Sequence, residues 1–322
     1  MTYTEALREA LHMELTRDRS VLLMGEDIGT YGGAFGVTRG LLDAFGGERV
    51  IETPISEQGF VGVAIGAAIT GLRPVVEIMF MDFVTLIVDP MVNQAAKLHY
   101  VFGPAAACPI VVRTPGGGGR CYGPTHSQML ESWFFHTPGI KIAAPATPAD
   151  AKGLLTTAIR DNNPVLFVEH KMLYGQRGPV PAGEHAVPFG AARRVSRGND
   201  LTIVAWSRMA AEAEAALPVL ADAGVHADLI DLRTLCPLDM PAVVESVRNS
   251  GRLLVVEEGV RTGGVAAEIG QRVFEEAWDY LDAPIRRVTT PDVPLSASPV
   301  LEDAAIPDRN RIASEAMALA AF

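Results

Sequence analysis

Two ionisable residues stand out as candidates for chemistry, Glu57 and His126. Glu57 opens the run Glu57-Gln-Gly-Phe-Val-Gly-Val-Ala-Ile-Gly-Ala-Ala-Ile69, which holds no other charge and is rich in glycine and alanine. A lone carboxylate at the mouth of such a helix has two uses. It complements the helix dipole, worth about 0.3–1 kcal/mol, or it exchanges a proton with a ligand. Burial raises the pKa of a carboxylate there and the helix N-terminus lowers it, so the direction stays open. His126 lies past a run of glycines, at the start of an expected helix. A histidine titrates near neutral pH and can pass protons to reaction intermediates; the plainer alternative is a capping or core histidine. Cys108, Cys121 and Cys236 show neither metal-ligand spacing nor a CxxC pair, and read as free thiols of a reducing compartment.

Local signals say what positions these residues. Val50, Ile51 and Thr53 suit a strand, Pro54 stops it, and Ser56 is placed to cap the helix that begins at Glu57. A helix apolar all round is expected to be buried. Glycine inside it costs about 1 kcal/mol relative to alanine, so close backbone packing is the reason read for Gly62 and Gly66. Four glycines at 116–119 follow a strand over 109–113 and are either mobile or pinned by a ligand or partner. GxGxxG is absent from the Gly29–Gly36 loop and the Walker pattern from the later one, which argues against nucleotide loops.

Helix and strand signals alternate from a helix over 2–18 to a last helix over 311–322, predicting α/β layers on largely parallel sheets. Residues 82–101 read as a helix broken or kinked at Pro90. Thr147-Pro148-Ala149-Asp150 reads as a helix start with cap, proline and first-turn acid. Residues 171–200 read as a connector, with a domain boundary near 190, and residues 291–308 as a proline-rich surface wrap.

Composition narrows the function. A chain of 322 residues has room for two domains of about 150 each. With 48% apolar and 20% charged residues it is a well-buried globular protein. A net charge of −11, with Lys and Arg scattered, excludes nucleic acid as the expected partner. The stretch from Tyr3 to Arg19 is amphipathic and mixed in charge, unlike a signal peptide. Val61–Leu72 is too short and glycine-rich to span a membrane. The expected location is the cytoplasm.

The stretch Glu52-Thr-Pro-Ile-Ser-Glu-Gln-Gly-Phe-Val-Gly-Val-Ala-Ile-Gly-Ala-Ala68 resembles the β subunit of the E1 component of 2-oxo acid dehydrogenase complexes. Met24-Gly-Glu-Asp-Ile-Gly29, Glu77-Ile-Met-Phe-Met-Asp-Phe83, Val92-Asn-Gln-Ala-Ala-Lys97 and Thr125-His-Ser-Gln128 agree with it in order. So do Ala151-Lys-Gly-Leu-Leu155, Ala158-Ile-Arg-Asp-Asn-Asn-Pro164, Asp231-Leu-Arg-Thr234 and Thr262-Gly-Gly264. The resemblance covers essentially the whole chain. It implies a pyrimidine-binding parallel-sheet α/β domain over 1–185, then a transketolase C-terminal-like α/β domain over 186–322.

By resemblance the cofactor is thiamine diphosphate, with Glu57 hydrogen-bonded to its aminopyrimidine and Phe83, Met79 and Ile55 near that ring. His126 would handle protons of the intermediates. The residues before it, Arg120 to Thr125, depart from the commoner family pattern, which leaves substrate size open. Gly-Asp-Gly, the family's diphosphate and magnesium motif, is absent here; in the family it sits on an α subunit. The resemblance therefore implies half a site, completed by E1α in an α2β2 tetramer that holds the Mg2+. Ile110, Ala158, Asp161 and Asn163 match positions whose carbonyls hold potassium. The C-terminal domain would contact the E2 acyltransferase; Glu257, Glu258 and Phe322 are available there but stay unassigned, since acids on a surface are usually only solvated. The implied reaction is decarboxylation of a 2-oxo acid and acyl transfer to a lipoyl arm, on pyruvate- or acetoin-type substrates, with branched-chain oxo acids the alternative. A non-catalytic assembly subunit is the competing reading.

Overall fold

The computed structural model describes residues 1–322 apart from the side chain of Ala105. Twelve strands form two sheets. In chain order they are β1 (Val21–Gly25), β2 (Val50–Glu52), β3 (Arg73–Glu77), β4 (Val111–Gly116), β5 (Lys141–Ala143) and β6 (Val165–His170), then β7 (Arg193–Arg194), β8 (Leu201–Ala205), β9 (Ala227–Asp231), β10 (Thr234–Cys236), β11 (Leu253–Val260) and β12 (Arg286–Thr290). The first sheet runs β10-β5-β6-β4-β3-β1-β2, and the second β12-β11-β8-β9-β7. Among the strands of the described residues, only β10 on β5 and β7 on β9 pair antiparallel. Strands β4 and β6 are buried along their whole length. That explains their continuous apolar starts, Val111-Val112 and Val165 to Val168, since a central parallel strand is covered on both faces.

Helices cover both sheets. Tyr3–Arg17 begins with a complete capping box, in which Glu5 N donates to Thr2 Oγ1 at 3.1 Å and Thr2 N to Glu5 Oε2 at 2.6 Å. It packs along Pro148–Arg160, whose Thr147 cap accepts from Asp150 N at 3.1 Å. In the second half Ser207–Asp222 and Arg309–Ala320 pack together on one side of the sheet, and Met240–Ser250 packs on Val265–Ala277. No helix is long and apolar enough to cross a membrane among the described residues.

Several expectations need correction. The Glu57–Ile69 helix is not buried all round. Phe60, Val61, Ala64, Ile65 and Ala68 enter the core, while Val63 is 62% and Ile69 46% exposed. A Cβ added at Gly62 or Gly66 would meet nothing within 4 Å. One chain supplies a packing partner for only one side of an all-apolar helix. Ser56 makes no side-chain cap; the helix starts on its carbonyl, which accepts from Phe60 N at 3.0 Å.

Residues 82–101 are helical and broken near Pro90 as expected, but into segments of three helix types. They form a 3-10 segment (Met81–Ile87), a π segment (Pro90–Ala95) and a short α-helix (Ala96–Phe102). Pro90 takes the first position of the π segment, where its missing N–H costs nothing. His126 lies in a turn over 124–127; the next helix, Glu131–Phe135, begins five residues later. Part of the 291–308 wrap is a helix, Pro299–Ala305. Glu257 and Glu258 are not surface acids: they sit in β11 and are 1% and 5% exposed.

Candidate active site

The site is assembled at the C-terminal ends of the first sheet, where parallel strands hand over to loops. Glu57 stands in the first turn of its helix, 7% exposed. Its carboxylate has no hydrogen-bond partner among the described residues. Beside it, at the end of β1, lies Glu26. Burial, then the Glu57 charge, push the Glu26 carboxyl up to about 6, and its Oε1 is buried without a partner. A nearly buried acid with nothing in its own chain to bond is free to bond a ligand.

The 3-10 segment Met81–Ile87 packs against the Glu57 helix and carries Phe83. Phe83 meets His126 edge-to-face, with centroids 5.5 Å apart, and Phe80 meets His126 in the same way at 5.1 Å. Phe80 also faces Phe83 (6.0 Å) and Tyr122 (6.1 Å). The structure thus brings Phe83 and His126 together in one aromatic wall. Met79 is half-buried in the preceding loop. Ile55 is 83% exposed.

Lys171 backs the wall. It is fully buried, its Nζ lies 5.3 Å from the Phe80 ring centroid, and it donates to the carbonyl of His126. Burial pushes its ammonium down to about 8, against the pull of Asp82, Glu258 and Glu302. Asp82 accepts from Gln128 Nε2 at 2.8 Å and from Gln128 N at 3.3 Å, which ties the segment past His126 to the 3-10 segment. Beneath lies an ion network on three adjacent strands. Arg113 on β4 reaches Glu169 on β6 and Glu77 on β3, and Tyr174 OH donates to Glu169 Oε2 at 2.7 Å. Sequence reasoning missed Glu26, Lys171 and Arg113. The signal available was a charged residue within or just after an uninterrupted apolar strand, which burial makes costly unless it has a task.

The residues expected to hold potassium gather where Pro148–Arg160 ends. Ile110 O accepts from Val165 N at 2.9 Å and Ala158 O from Asp161 N at 3.3 Å. Arg73 Nη1 donates to Ile159 O at 3.1 Å and to Asp161 O at 3.0 Å, and Lys141 binds the Asp161 carboxylate. Positive side chains already serve part of this carbonyl cluster.

Residues 1–177 match the family described as transketolase, pyrimidine binding domain, and residues 190–312 that described as transketolase, C-terminal domain. The acetoin:2,6-dichlorophenolindophenol oxidoreductase subunit beta of Cupriavidus necator is 47% identical over 321 residues, spanning 97% of this chain and 95% of that one. The pyruvate dehydrogenase E1 component subunit beta of Rickettsia felis is 46% identical over 312 residues, spanning 97% and 96%. Among solved structures, a split gene transketolase in an inactive beta4 tetramer aligns with a TM-score of 0.80 at 20% identity, over 100% of this chain and 98% of that one. That last likeness concerns the fold alone. With both halves matched and relatives close to half identical along their length, the chain belongs to the transketolase-like, thiamine diphosphate-dependent family of oxidoreductases, among the E1 β subunits of 2-oxo acid dehydrogenases.

Proposed function

We infer that this chain forms the β half of a cytoplasmic α2β2 enzyme that decarboxylates a 2-oxo acid and passes the acyl group to a lipoyl arm of E2. Pyruvate is the preferred substrate, acetoin cleavage the neighbouring chemistry, and branched-chain oxo acids the alternative. The observation that carries the reading is Glu57: nearly buried, unpartnered, and set at a helix mouth beside a second carboxyl.

Thiamine diphosphate, when bound, supplies a carbanion on its thiazolium ring. The residues of this chain prepare for it. Glu57 bonds a ring nitrogen of the aminopyrimidine and holds the proton there. Phe83 and Met79, with Ile55 at the rim, pack about that ring. His126 passes protons to and from the reacting group. The diphosphate and Mg2+ are held by the α subunit, since this chain lacks Gly-Asp-Gly. The uncovered stripe of Val63, Gly66 and Ile69 supports a partner chain on that side. Potassium on the carbonyls of Ile110, Ala158, Asp161 and Asn163 uses the second lone pair that each carbonyl keeps. Equal thermal stability in potassium and choline salts would remove it.

Calorimetry of thiamine diphosphate with Mg2+ tests the reading, first on this chain alone and then on the chain purified with its α subunit. Binding only to the pair is expected. Tight binding to this chain alone would overturn the split site.

A further inference from the structure

The loop between β4 and His126 takes its shape from the other half of the chain. Gly118 N donates to Glu258 Oε1 at 2.7 Å, and Cys121 N to Glu302 Oε2 at 2.8 Å. Glu258 lies in β11 and Glu302 in the Pro299–Ala305 helix, and Glu302 is wholly buried. Its other oxygen, Oε1, has no hydrogen-bond partner among the described residues. His170 Nε2 stands 2.9 Å from Glu258 Oε2, and Arg208 Nη1 stands 3.9 Å from the same oxygen. The titratable groups around this pair of acids include His170, Arg208, Lys171 and Glu131, with Arg120 bonded to the Lys171 carbonyl at 3.1 Å.

Four residues of the loop have positive φ: Gly117 (83°), Gly119 (90°), Cys121 (56°) and Gly123 (81°). Glycine takes this conformation freely. Cysteine does not, and such a residue persists only where its surroundings over-determine it. The Glu302 carboxylate provides that determination, since it accepts the backbone N–H of Cys121 at 2.8 Å. An ionised acceptor makes the bond stronger than a neutral one would. The next residue is Tyr122, edge-on to Phe80, which is edge-on to His126.

We propose that Glu302 is a positioning residue: from the C-terminal domain it locks the Gly116–Gly123 loop, and through Tyr122 and Phe80 it sets where His126 stands. The lock stands on the geometry; its effect on turnover rests on the proton-handling reading of His126.

The test uses the full chain purified with its α subunit. Arg120 is exposed and precedes the peptide that Glu302 pins, so trypsin reports release of the loop. In Glu302→Ala, cleavage after Arg120 accelerates by about tenfold, because proteolysis tracks the open population. Turnover falls by about tenfold in kcat with KM little changed, as for a group needed after substrate binds. Adding Cys121→Gly recovers part of both protection and turnover, since glycine takes φ near 56° without the steric cost that cysteine meets there. A general packing defect would not be repaired by trimming a side chain in the other domain. Unchanged cleavage in Glu302→Ala, or no recovery in the double variant, overturns the lock. If Glu302→Ala does not fold, Glu302→Gln, which keeps volume and one acceptor but no charge, carries the same comparison with a smaller change. Wild-type turnover in His126→Ala would refute the proton role of His126, while the trypsin result would still decide the lock.

Discussion

Arg113 Nε and Nη2 donate to the two oxygens of Glu169 at 2.7 and 3.0 Å, with both side chains inside the first sheet. Two parallel bonds between planar groups fix the geometry as well as the charge. Burial raises the Glu169 carboxyl and Arg113 opposes that rise. Arg113→Met leaves a buried carboxylate without its partner and is expected to cost about 3–5 kcal/mol. The paired variant Arg113→Met/Glu169→Gln should cost less than the sum of the two changes. Thermal unfolding of the four proteins checks this, and additive losses would show that the pair acts independently.

Glu57→Gln keeps the shape of the helix mouth and removes the acid. Turnover should fall by about 10²–10⁴-fold, the range for a lost acid–base group, with the subunit assembly intact by gel filtration. Unchanged turnover would remove Glu57 from the chemistry; a collapsed assembly would return it to the helix-dipole role.

The same substitution has a readout without turnover. The Glu57 charge helps to hold Glu26 at about 6, so its removal must shift Glu26 downward. Infrared titration of the carboxyl band, with Glu26→Gln to assign it, measures that shift. A Glu26 that titrates alike in both proteins would mean the two acids do not sense each other.

Glu131 and Glu257 face the boundary between the halves. Burial raises Glu257 to about 8, with the Glu131 charge adding to it, and burial raises Glu131 to about 7. Both are therefore protonated in the fold well above the pH at which the unfolded chain ionises. Their contribution to stability is full below about pH 4.5 and is lost as pH rises toward 8, at up to about 1.4 kcal/mol per proton per pH unit. Glu257→Gln imitates the protonated acid at every pH. It should match the wild type near pH 5 and exceed it in Tm at pH 8.5; a Tm gap that does not vary with pH would contradict the assignment.

The open stripe on the Glu57 helix makes a fifth prediction. A side chain at Gly66 meets open space within this chain, so Gly66→Leu should fold normally and unfold at a similar temperature. It should nonetheless fail to assemble with the α subunit, as native mass spectrometry would detect. Normal assembly would place the partner elsewhere.

Much of this was legible in the sequence because local rules and the fold agree. Pro54 marked a strand end, the apolar run behind Glu57 marked a helix, of which one face rather than all is buried, and Thr147-Pro148 marked a helix start that the structure reproduces. Ser56 misled because a capping residue type does not guarantee the cap geometry; its φ of −167° leaves the hydroxyl unbonded to the first turn. The helix types within residues 82–101 were not legible because helical periodicity does not separate α from 3-10 and π geometry. Glu257 and Glu258 were read as surface acids from their charge alone, although the apolar Leu253 to Val256 before them announces a buried strand. The contacts of Glu302 with the glycine loop span 181 positions, a distance over which no local pattern speaks.

Strand β10, from the second half, completes the first sheet by pairing with β5. During synthesis the edge at residue 143 must wait for residue 234 to leave the ribosome. At about 5–20 residues/s that wait is roughly 5–20 s. An uncovered strand edge is a template for pairing with other chains, so the nascent protein passes through a window in which its first sheet needs shielding. The most dangerous moment for this subunit thus comes before it has a partner, while the chain still lacks its own last strand for that sheet.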